Sequence, residues 1–308
     1  MKKTALTLVI SILTLSACQP TPAGEQKSLT VITSIAPLYS ITTYLTEGTD
    51  TKVTNLVPPN ATVHSYQLSP NDAKNLNNAD LIVINGLELE TFLESIIADL
   101  PGTVVNTSEN VDLISLIEEE HDEDEEDHHH GAYDPHIWLS PINAEKQAAN
   151  ITQALMTADP ENAELYEHNF KHLSGDLLLL DTQIHQRLSA LDLQPYLVFH
   201  DAYQYFDQTY GVGPAAFIKE SPSQEPTAEY LAEVISIIQE SEIKVAFSEP
   251  QFSPKLLQTL SEDYGLTILE LDPLGQTISK EGYFQLMESN ISAFEAAFPK
   301  TTTDEDNS

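Results

Sequence analysis

The residues best suited to do chemistry in this 308-residue chain are its histidines, ten in all, at positions 64, 121, 128, 129, 130, 136, 168, 172, 185 and 200. A neutral imidazole serves both as a metal ligand and as a proton acceptor near neutral pH. Local sequence divides the ten into three groups. His168, His172 and His185 sit in a helical pattern, and the first two, four apart, read as a surface face. His121, His128, His129 and His130 punctuate EEEHDEDEEDHHH (118–130), where nine of the first ten residues are acidic. The other three lie at strand ends or in loops before helix starts: His64 in PPNATVHSYQLSPND, His136 in YDPHIWLSP and His200 closing YLVFH. Asp272 closes TILELD in the same way. Ligands collect beyond the carboxyl ends of parallel strands, so these four are candidates for one site. Three imidazoles and a carboxylate suit tetrahedral zinc, with bonds of about 2.0–2.2 Å. The alternative is four unrelated capping or hydrogen-bonding residues.

The elements that must position them alternate along the chain. Short β-branched runs at 29–34, 51–57, 81–84 and 103–106 are expected strands, with helices near 37–46, 70–77 and 90–99. The alternation resumes with strands at 196–200, 215–218, 244–248 and 267–271 and helices at 203–210, 227–239, 254–264 and 282–297. Near-continuous apolar strands between helices indicate parallel sheets covered on both faces. Ser69-Pro70, Ser140-Pro141 and Ser253-Pro254 each place a capping hydroxyl before a proline at the first helical position. The expected fold is α/β: an N-terminal lobe (29–159), one long rigid helix over 160–191, about 45 Å long, and a C-terminal lobe (192–299). The 108–134 stretch lacks any element pattern except the apolar VDLISLI. Its acidic part, a loop over 118–132, and the acidic tail 300–308 bury too little apolar surface to order themselves.

Thirteen basic against 48 acidic residues give a formal charge of −35. That charge argues against nucleic acid as a partner and makes cations the natural ligands. At the N-terminus, Lys2 and Lys3 precede an apolar run (5–15) shorter than the roughly 20 residues that span a bilayer, which reads as a secretory signal. Cys18, the only cysteine, ends this 1–18 segment in Leu-Ser-Ala-Cys, a sequence that resembles a bacterial lipobox; the thiol reads as a lipid anchor. Residues 19–28 then form a flexible tether.

The segments HSYQLSPNDAKNLNNADLIVING, DPHIWLSP, FHDAYQYF, FSEPQFSP and LDPLG, in this order, resemble the substrate-binding lipoproteins of bacterial zinc and manganese ABC importers, over about residues 29–298. The resemblance implies two lobes with metal in the cleft between them. Its metal ligands fall on His64, His136, His200 and Asp272, with Asp134, Asp201 and Glu249 as candidates to hold the rings from behind. It implies Zn²⁺ as the transported ligand, an ABC permease with its ATPase as partners, a monomer, and a location outside the cytoplasm on a membrane. Manganese-type relatives place a glutamate where FHDAYQYF has His200, so this chain sides with zinc. Val63 departs from zinc-type relatives that carry an acid there, which leaves Asp272 or water for the fourth position; the second-lobe disulfide of some relatives is absent too. A manganese or iron carrier of the same family is the near alternative. An exported zinc hydrolase is the distant one, against which stands the lack of any HExxH helix; adhesion is a conceivable secondary role.

Overall fold

Two four-stranded parallel sheets carry the molecule. The computed structural model describes residues 28–116, 131–219, 226–253 and 255–299; Cys18, the signal segment, residues 19–27 of the tether, His121, His128, His129, His130 and the 300–308 tail lie outside them. The first sheet contains β1 (Thr30–Thr33), β2 (Lys52–Asn55), β3 (Leu81–Ile84) and β4 (Thr103–Asn106) in the order β2-β1-β3-β4. The second contains β5 (Tyr196–His200), β6 (Ala216–Lys219), β7 (Val245–Ser248) and β8 (Thr267–Glu270) in the order β6-β5-β7-β8. Every pairing is parallel. The two central strands of apolar residues, LIVI in β3 and YLVFH in β5, are buried along their whole length, as helices on both faces require.

The helices are α1 (Ala36–Leu45), α2 (Pro70–Leu76), α3 (Pro141–Ala158), α4 (Ala163–Leu188), α5 (Gln204–Tyr210), α6 (Ala228–Glu240), α7 (Lys255–Tyr264) and α8 (Gly282–Ala297). Ser69 caps α2 through a reciprocal box: its hydroxyl accepts from the Asp72 amide at 3.2 Å, and Asp72 accepts from the Ser69 amide at 2.8 Å. Ser140 precedes α3 but its side chain makes no capping bond.

The expected helix over 90–99 is instead two single 3₁₀ turns, Thr91–Leu93 and Ile97–Asp99. The chain winds around the buried Glu90 carboxylate, which accepts from Ser34 Oγ (2.6 Å) and from the amides of Asn85 (2.8 Å) and Gly86 (3.1 Å). Leu87 and Glu88 adopt left-handed φ of 56° and 60° to allow this. A helix starting there would pull the carboxylate off these amides.

The connecting helix is also shorter than 160–191. Asp159 Oδ2 accepts from Asn162 Nδ2 (2.7 Å) and the Tyr166 hydroxyl (2.8 Å), holding Pro160–Asn162 in a 3₁₀ turn. α4 then runs 26 residues, about 39 Å at 1.5 Å per residue. It is bolted to both lobes. Asn169 donates to the Leu45 and Glu47 carbonyls and Tyr44 to Asp176, while Arg187 forks onto Glu295 and reaches Glu288 of α8. The patternless stretch beside the acidic loop is tied as well: Leu116 N donates to the Ala132 carbonyl (3.1 Å) and Asp134 N to that of Ile114 (3.0 Å).

One apolar cluster runs through both lobes, from Val31 and Val83 through Trp138 and Leu177 to Tyr283 and Phe294. At its centre Trp138 of the first lobe, fully buried, donates from Nε1 to the Pro273 carbonyl of the second at 2.6 Å. Tyr283 of α8 returns a bond to the Trp138 carbonyl at 2.8 Å. Packed side chains and matched polar groups across the seam hold the lobes in one arrangement. Trp138→Phe strands the Pro273 carbonyl and opens a void, and is expected to lower stability by about 2–4 kcal/mol, seen as a reduced urea midpoint with an unchanged denaturant slope.

Candidate metal centre

Three imidazoles converge between the lobes, each delivered by a short rigid element. His64 sits in a 3₁₀ turn (Val63–Ser65) whose neighbour Val63 is buried in the core. His136 immediately precedes the turn Ile137–Leu139, all three of whose side chains are fully buried. His200 is the last residue of β5. His64 Nε2 lies 3.3 Å from His136 Nε2, and the three ring centroids are 5.3, 5.3 and 5.8 Å apart. Each ring offers a nitrogen within 4.8 Å of the others. Two nitrogens bound to tetrahedral zinc at 2.0–2.1 Å would be about 3.4 Å apart, so the spacing suits a single small cation. His200 Nε2 is buried and has no hydrogen-bond partner among the described residues. A buried lone pair without a donor is costly, and a cation at the convergence point satisfies it.

Two carboxylates orient the rings from behind. Asp134 Oδ1 is 2.7 Å from His136 Nδ1 and also accepts the His136 amide at 2.9 Å. Glu249 Oε1 is 2.6 Å from His200 Nδ1 and faces the His200 amide at 3.2 Å. Nδ1 of each ring is thereby turned to a carboxylate and Nε2 is left for the cation. Asp201, expected in the same role, instead accepts from Gln204 Nε2 and acts on His200 only through its charge.

Sheet order explains where these groups fall. β5 and β7 are neighbours whose following connections leave toward opposite sides, so a crevice opens at their carboxyl ends. His200 and Glu249 occupy that crevice. The matching crevice of the first lobe, between β1 and β3, holds Ser34 and Asn85 around Glu90. Asn85 Nδ2 donates to the Pro135 carbonyl at 2.8 Å and Gln147 Nε2 donates to Asn85 at 3.1 Å, staging the loop that presents His136. Sequence reasoning missed Asn85, Glu90 and Gln147; the Asn-Gly pair directly after LIVI was the one local signal.

Asp272 is not brought into the cluster of three imidazoles. Its carboxylate, 6% exposed as a residue, accepts from Gln251 Nε2 (2.8 Å), the Leu274 amide (2.9 Å) and Gln276 Nε2 (2.7 Å). His168, His172 and His185 are exposed on α4, as a surface face requires. The pocket around the imidazoles is walled by Val63, Trp138, Phe252, Pro273 and Leu274, an apolar lining that strengthens every charge interaction inside it.

That lining also sets the protonation states. Burial, and then the neighbouring His200, hold His136 well below the usual histidine range, so it is neutral and ready to bind. Burial pushes Asp134 up to about 7, against the opposing pull of the His136 amide and of His200. For His200, burial is the largest single influence and lowers proton affinity, but the charge and hydrogen bond of Glu249, with Asp201 and Asp134, outweigh it and the net shift is upward.

Residues 31–297 match the family described as ZnuA, zinc-uptake complex component A, periplasmic. The chain belongs to this family. The ZnuA of Haemophilus ducreyi, a high-affinity zinc uptake system protein, is 34% identical over 314 residues, covering 95% of this chain and 97% of its own. The Bacillus subtilis ZnuA is 33% identical over 276 residues, 86% of each chain. A crystal structure of a ZnuA superposes with a TM-score of 0.74 at 26% identity, over 86% of this chain and 99% of that one. The two-lobed α/β architecture is thus shared with solved ZnuA structures.

A protonated His200 cannot bind a cation, and its proton is retained above the ordinary pH of 6.5. Zinc affinity should therefore begin to fall on acidification above that pH, each ion displacing on the order of one proton. Glu249→Gln removes the charge that raises His200. It should move the onset of this loss to lower pH while weakening zinc at pH 8 by about tenfold or more, measured by chelator competition across pH.

Proposed function

We propose that this protein captures Zn²⁺ outside the cytoplasm and delivers it to an ABC permease powered by a separate ATPase, binding and releasing the ion without turning over a substrate. The convergence of His64, His136 and His200 on one point, with Nε2 atoms of two rings 3.3 Å apart, carries this reading. The names of its relatives as high-affinity zinc uptake proteins support the same cargo. Imidazole nitrogen suits zinc, and manganese prefers more oxygen donors than this cluster offers, so the near alternative of a manganese or iron carrier is disfavoured. The names of the relatives as zinc uptake system proteins point away from the distant alternative of an exported zinc hydrolase.

In this reading Cys18 carries lipid and tethers the protein to a membrane, and His121, His128, His129 and His130 gather zinc weakly near the mouth. The strand-like pairing of 114–116 with 132–134, which flanks that stretch in sequence and ends two residues before His136, supports this reading. The test uses protein with residues 118–130 removed, so that loop imidazoles do not compete. One zinc per chain is expected, displaced little by excess manganese in a mass-spectrometric competition. The His64→Ala, His136→Ala, His200→Ala triple variant should hold none after dialysis; tight zinc binding by that variant would overturn the assignment.

A further inference from the structure

Asp272 is held in its place from three directions. Its backbone is clamped by Asn290 of α8, which accepts the Asp272 amide at 2.9 Å and donates to its carbonyl at 2.9 Å. The next residue, Pro273, is fixed by the Trp138 indole. The carboxylate is then occupied on both oxygens. Oδ1 accepts from the Leu274 amide and from Gln251 Nε2, and Oδ2 accepts from Gln276 Nε2. Gln251, Pro273 and Leu274 all line the pocket that contains the three imidazoles. The carboxylate therefore stands one hydrogen bond behind the wall of the metal pocket.

Neutral amide donors have a particular effect here. They hydrogen-bond the carboxylate without cancelling its charge, so Asp272 still adds a favourable field for a cation, yet three of its roughly four acceptor sites are taken and both oxygens are held in place. Gln251 Nε2 also faces the Pro59 carbonyl at 3.4 Å, in the loop leading to His64, and so ties Asp272 to the opposite lobe. Gln276 is exposed, and among the described residues it is the group bonded to Oδ2. Freed of these donors, the carboxylate would be an additional hard oxygen ligand beside three borderline nitrogens, the change that most favours manganese over zinc.

We propose that Gln251 and Gln276 are specificity-determining positioning residues: by holding both oxygens of Asp272 they keep it off the cation and preserve a three-imidazole donor set. The inference rests on the zinc-capture reading of this site. Zinc and manganese affinities are compared by competition in the wild type, in Gln276→Glu, and in a Gln251→Leu, Gln276→Leu double variant, each with and without Asp272→Asn. Gln276→Glu lies at an exposed position and guards against a folding failure of the double variant.

The expected result is a shift of about tenfold or more toward manganese in both variants, lost when Asp272→Asn is added. X-ray absorption of the zinc-loaded variants should show an added oxygen neighbour relative to wild type. An unchanged zinc-to-manganese ratio, or a shift that survives Asp272→Asn, overturns the inference while leaving zinc capture intact. Retention of zinc by the triple histidine variant overturns both.

Discussion

Everything in this molecule is subordinate to one electrostatically awkward arrangement: imidazole nitrogens from three parts of the chain, brought within 4.8 Å of one another in a largely apolar pocket. No local sequence preference favours such a meeting. Two of the three rings are held by a carboxylate at Nδ1, Asp134 for His136 and Glu249 for His200, and each carboxylate also bonds the amide of the residue it serves. Backbone and ring are thereby fixed by the same group. A cation relieves the convergence, and the protein's rigidity keeps the rings from relieving it by moving apart.

Rigidity comes from the seam between the lobes. The Trp138 indole, the Tyr283 hydroxyl and the apolar cluster around them join the sheets into one body, and α4 braces both from outside through Asn169, Tyr44 and Arg187. A binding site built on two lobes would be loose if they moved freely. Here His200 sits at the sheet crevice of the second lobe while His64 and His136 are presented by turns of the first, and buried side chains set the distance between them.

The two lobes repeat one strand order, with different occupants at the crevice. In the second lobe the crevice holds His200 against Glu249. In the first it holds Glu90 against Ser34, Asn85 and Gly86, a closed polar knot that supports the His136 loop and presents no ligand of its own. Both buried glutamates anchor backbone amides, so the same device serves structure in one lobe and ligand orientation in the other.

Much of this was legible in the chain. Eight strands followed from β-branched runs, because burial on both faces is written in local composition, while places after strands and before helix starts made His64, His136, His200 and Asp272 candidates for one site without separating a site from four unrelated residues. The lone cysteine and the acidic excess likewise follow from sequence. Tertiary structure alone decided the rest. Which carboxylate serves which ring depends on β5 lying beside β7, a pairing between residues about fifty positions apart. The failure of the 90–99 helix depends on Glu90 meeting Ser34 across the sheet, and the shortened α4 on the turn at Asp159. Asp272 had the right type and the right place to be a ligand; the amides of Gln251 and Gln276 that hydrogen-bond its carboxylate reach it only once the chain has folded.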